Sequence, residues 1–114
     1  DVCSSDLFGG QYETMFEEID TLTEHMRYLG MKPVSTLSRI TEVSYIDQAS
    51  NSAQDVDAME MVRQLRDDNK KIVELFADIS EEADKQRQFA TSNLVQSLME
   101  THGKFHWMLR SVLE

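Results

Sequence analysis

Residues 8–30 read FGGQYETMFEEIDTLTEHMRYLG. Apolar side chains recur at Phe8, Tyr12, Met15, Ile19, Leu22, Met26 and Leu29, in alternating steps of four and three. That is the spacing of one face of an α-helix. Carboxylates run beside the stripe at Glu13, Glu17, Asp20 and Glu24. The Gly9-Gly10 pair weakens the first turn and predicts a helix start near residues 8–11. Gly30, with Pro33 three residues on, predicts its end.

Outward from this helix the pattern stays helical. Ser35 or Ser38 is a candidate cap for a short helix over residues 36–44, with Leu37, Ile40 and Val43 on one face. Residues 47–54, DQASNSAQ, are polar and turn-rich and predict a connector. A long helix is predicted from residue 53 or 55 to residue 84. Its stripe is Met59, Val62, Leu65, Ile72, Val73, Phe76, Ile79 and Ala83, interrupted by Asn69. Residues 81–88 contain neither Gly nor Pro, yet a single helix of about 60 residues is unusual in a small domain, so a tight turn is predicted there. A last helix over residues 89–113 carries Leu94, Leu98, Phe105, Leu109 and Val112, widened by Val95, Met99 and Met108. Three long amphipathic helices and a short one predict an all-α antiparallel bundle. Three wide apolar faces want a fourth partner.

Composition agrees with a helical domain. The chain has 114 residues, 40% hydrophobic and 28% charged, with one Pro and four Gly. This is one domain at most, long enough to bury a core without disulfides. Acidic residues outnumber basic ones 21 to 11, for a formal charge of −10, which argues against a general phosphate-binding surface. No apolar run approaches the roughly 20 residues that span a bilayer. A single Cys forms no internal disulfide, so a reducing cytoplasm is the expected compartment.

Residues 1–7, DVCSSDL, differ from the rest. They show no helical apolar pattern and resemble the translation of a sequencing-library adapter read in frame into a truncated gene. The expectation is that residues 1–7 are non-native, that the native domain occupies residues 8–114, and that the natural protein continues upstream of Phe8. Cys3 then has no functional meaning. Without Asp1 and Asp6 the count is 19 acidic against 11 basic residues, a charge of −8.

Few residues are candidates for chemistry. Asp20 and Glu24 are i, i+4 neighbours, and exposed like charges at that spacing cost roughly 0.2–0.5 kcal/mol. A bound cation reverses that sign, and carboxylate oxygens suit hard divalent ions and iron. The same string also makes an ordinary solvated acidic face. His25 points about 100° away from Glu24 around the helix and is a poor co-ligand. His102 and His106 have chelating spacing, but His102 lies on the apolar stripe, where a hydrogen-bonded structural histidine is the simpler role. Trp107 and the methionines read as packing. There is no Gly-rich phosphate loop and no motif for Ser- or Cys-based catalysis.

The order of motifs adds more. Y-x-x-x-F-E-x-I-D-x-L-x-E over residues 12–24 is followed by Leu29-Gly30, Pro33 and Thr36-Leu37. Met61-Val62, D-D-N-K-K, Ala90-Thr91 and H-W-M-L-R over residues 106–110 come later. In this order the motifs resemble the Dps family, the DNA-protection-during-starvation mini-ferritins, from Phe8 to the C-terminus. The resemblance implies a ferritin-like four-helix bundle with a short helix in the long connection between the second and third helices. The first bundle helix is then missing from this chain. It further implies a cytoplasmic homo-oligomer, a shell of twelve subunits, associated in some cases with the nucleoid. Its activity would be ferroxidase: oxidation of Fe(II), preferably by hydrogen peroxide, with ferric mineral stored inside and DNA protected. Some members bind DNA, usually through lysine-rich tails, so DNA is a possible partner through a tail missing from this sequence; no membrane is involved.

By the same resemblance the iron site lies between two subunits. One supplies the Asp and Glu of D-x-x-x-E, which fall on Asp20 and Glu24. The other supplies two histidines, one aligning near Ser5 and one upstream. The chain then holds half a site, and the fragment itself is expected to be inactive. His25 replaces a common Arg and Met31 the second Gly of a G-G turn; neither is a ligand position. Acidic iron-entry pores of the family point to Glu81, Glu82 and Asp84, while a frequent pore Asp falls on Asn93; ordinary surface charge explains these three equally well. The alternative function is a non-enzymatic helical module that binds DNA or protein.

Overall fold

The computed structural model describes residues 2–46 and 57–114, which form four helices and no strand. They are α1 (Val2–Tyr28), α2 (Leu37–Val43), α3 (Ala58–Lys85) and α4 (Phe89–Leu113). The chain divides into two compact units, Asp1–Ser44 with α1 and α2, and Tyr45–Glu114 with α3 and α4. The connector expected over residues 47–54 lies outside the described residues.

In the first unit, α1 begins six residues before Phe8, so the expected start near residues 8–11 is corrected. The Gly9-Gly10 pair sits inside the helix, where neither Cα has a neighbouring atom in the way of a side chain. Hydrogen bonding along the backbone continues through the pair because glycine weakens a helix by only about 1 kcal/mol. The end is as expected. Gly30 takes a φ of +80°, and the Met31 N–H donates to the Met26 carbonyl at 2.8 Å, closing a Schellman turn.

The expected stripe of α1 is corrected in part: Phe8, Leu22, Met26 and Leu29 are partly shielded, while Tyr12, Met15 and Ile19 are exposed. Tyr12 and Ile19 are 70% and 61% exposed. The least exposed line runs instead through Gln11, Thr14, Glu18, Leu22, His25 and Leu29. Both lines have helical spacing, rotated from one another by about a fifth to a quarter of a turn. The two lines share Leu22 and Leu29, and hydrophobicity alone misses the rest of the shielded line because Gln11, Thr14, Glu18 and His25 are polar. The cap of α2 is Thr36, whose hydroxyl accepts from the Arg39 N–H, rather than Ser35 or Ser38. Leu37, Ile40 and Val43 share a face as expected, and that face is exposed.

In the second unit, α3 packs against α4. Asp57 caps α3, its carboxylate accepting from the Glu60 N–H at 2.7 Å. The turn expected over residues 81–88 occupies residues 86–88. Arg87 adopts φ +59°, and the Gln88 N–H donates to the Ala83 carbonyl at 2.7 Å, the same Schellman closure without a glycine. Arg87 sets its guanidinium 5.6 Å from the Phe89 ring centre, an attraction that offsets part of the strain.

The buried seam has a seven-residue period. On α3 it contains Val62, Asn69, Phe76 and Ala83; on α4 it contains Val95, His102 and Leu109. Two antiparallel helices that keep this period present the same faces to each other along their length. Two polar layers mark the register. The His102 Nδ1–H donates to Asn69 Oδ1 at 2.8 Å, and Asn69 Nδ2 donates back along its helix to the Leu65 carbonyl at 2.7 Å. About three turns nearer the loop along α4, the Ser80 and Ser92 hydroxyls lie 2.8 Å apart, and Gln96 Nε2 donates to both at 3.0 Å. Asn69, which interrupts the apolar stripe in sequence, is therefore the partner of the histidine that interrupts the other.

Candidate metal centre

The candidate ligands Asp20 and Glu24 stand on the exposed side of α1. Their spacing on a continuous helix sets their β-carbons about 6 Å apart, close enough for two carboxylates to share one ion. Glu13 and Glu17 extend the same face toward the N-terminus, so like charges follow one another at i+4, i+3 and i+4. Among the described residues no ion pair engages any of the four. The Thr21 hydroxyl donates to the Glu17 carbonyl and leaves that carboxylate untouched. Each like-charged neighbour costs a few tenths of a kcal/mol, an arrangement that favours a cation.

Beside this acidic face lies an exposed apolar one. Tyr12 and Phe16 hold their ring centres 6.3 Å apart, with Ile19 a turn further on. His25 turns away from Glu24 to stack on Tyr28 at 5.4 Å, as its position around the helix requires. Among the described residues no group of three or more His, Cys, Asp or Glu side chains converges on one point. Among the described residues, Asp20 and Glu24 therefore present two carboxylates rather than a closed coordination shell.

The His102/His106 pair is not a chelate. His102 is 1% exposed and committed to Asn69, between the Phe76 and Phe105 rings at 6.2 and 5.7 Å. His106, one turn further along α4, is half-buried. Asp67 accepts from Arg66 Nε at 2.9 Å, and this bond, helped by the positive charges of Arg66, Lys70 and His106, holds its carboxyl below the usual carboxylate range. A lowered acid adds stability above its ordinary value and loses it as pH falls through the lowered one; on this exposed surface the contribution is small.

Glu81, Glu82 and Asp84 cluster in the last turns of α3, all exposed. Gln86 Nε2 donates to Glu82 Oε1 at 2.8 Å, and Lys85 is the one basic residue of the last turn. Three carboxylates at the negative end of a helix dipole oppose it. Asn93, on the first turns of α4, is exposed as well. The residues missed from sequence are Gln11 and Glu18 on the shielded line of α1. Their signal was an exact spacing of seven, hidden by their polarity.

A ferritin-like domain model matches residues 4–114. The fold is similar to that of a Dps protein from Bacillus brevis, with a TM-score of 0.89 and 27% identity over 96% of this chain and 72% of that one. Dps from Staphylococcus aureus superposes with a TM-score of 0.87 at 24% identity, covering 94% of this chain and 70% of that one, a likeness of fold. A low temperature-induced protein of Nostoc sp. is 27% identical over 109 residues. The chain spans 60% of the length of that relative. The all-α class and the short helix in the connection expected from sequence agree with these likenesses. The chain belongs to the ferritin-like family, and its type is that of the Dps proteins.

Proposed function

We propose that the whole protein is an iron-storing ferroxidase of the Dps type, with Asp20 and Glu24 as the carboxylate half of a site completed by a second subunit. The observation that carries this reading is the pair itself: two exposed carboxylates one turn apart, unmatched by any ion pair among the described residues, on the helix that bears the family's D-x-x-x-E string. In the proposed reaction Fe(II) is the substrate. Two ferrous ions each give up one electron, the O–O bond of one hydrogen peroxide breaks, and two hydroxide ions form. The role of Asp20 and Glu24 is to hold the iron with ionised oxygens, which favour the harder Fe(III) product. The imidazole ligands belong, in this proposal, to a part of the whole protein outside residues 8–114. Twelve copies forming a cytoplasmic shell would enclose the ferric mineral, and removal of iron and peroxide together would protect DNA.

The test uses the full-length protein. Asp20→Ala combined with Glu24→Ala is expected to lower the initial rate of Fe(II) oxidation by peroxide at least tenfold, with assembly followed by size-exclusion chromatography. An unchanged rate in an assembled double variant would refute the assignment.

A second reading, a non-enzymatic DNA- or protein-binding module, draws on the exposed apolar face of α2, where Leu37 is 80% exposed. The DNA form of it conflicts with a formal charge of −10. In a gel shift at low ionic strength this chain is expected to leave duplex DNA unretarded; tight, salt-sensitive binding would favour the second reading.

A further inference from the structure

We draw no further inference here: the strongest candidate, the exposed apolar face of α1 formed by Tyr12, Phe16 and Ile19, adjoins the carboxylate site already described, and nothing in the structure shows what covers it.

Discussion

His102 and Asn69 are two polar residues placed where their helices bury everything else. Each is nearly inaccessible, and each accounts for the other. Asn69 Oδ1 only accepts, so His102 Nδ1 carries the hydrogen, and the amide's own N–H group is spent on Leu65. Removing one member leaves the other without this bond in a site shielded from water, at a cost of about 1–3 kcal/mol. Replacing both with apolar side chains avoids that penalty. Asn69→Leu and His102→Leu are therefore expected to destabilise separately, and the double variant to lose less than the two losses combined. Urea unfolding of the four proteins measures this. Additive losses, with a coupling below about 0.3 kcal/mol, would mean that the bond contributes little.

At the scale of an element, the ends of the helices decide where the chain turns. α1 closes with Gly30 in the left-handed region, where glycine is unstrained. α3 closes by the same pair of backbone bonds with Arg87 in that region, where a β-carbon costs about 1 kcal/mol. Part of the offset is the stacking of Arg87 on Phe89, and part is the packing of α3 on α4, which brings the two helix ends together. Arg87→Gly and Arg87→Ala both delete the stacking but differ in backbone strain. Glycine is expected to be the more stable by about 1 kcal/mol, read as a higher midpoint in thermal unfolding. Equal midpoints would show that the turn relaxes out of the left-handed region.

For the whole molecule the question is how charge is distributed. The formal charge of −10 is not spread evenly: four carboxylates line one face of α1 and three crowd the C-terminal end of α3. The second cluster opposes its helix dipole, so its placement costs stability unless cations pass or bind there. In the proposed shell, Glu81, Glu82 and Asp84 would be the candidates to line the entry of iron. Glu81→Gln, Glu82→Gln and Asp84→Asn together are expected to slow iron uptake several-fold, with a larger effect at low salt, because long-range steering is screened within roughly 10 Å at 0.1 M. Uptake by an assembled shell that is indifferent to all three changes would make them ordinary surface charges.

The helical class, the C-terminal end of each of the four helices and the tight turn before α4 were legible in the sequence, because they rest on local physics. Helical spacing, a glycine at a C-terminus and the improbability of a 60-residue helix need no knowledge of neighbours. Asp20 and Glu24 were legible as a pair for the same reason: i, i+4 spacing is fixed by the helix itself. Which line of α1 is shielded was not legible. Tyr12 and Ile19 outrank Gln11 and Glu18 in hydrophobicity, yet the structure exposes the first two and shields the second two. Nor did the sequence reveal why Asn69 breaks one stripe and His102 another. A buried polar group is tolerated only with its partner, and the partner lies 33 residues away. Only the packing of α3 on α4 brings the two into register.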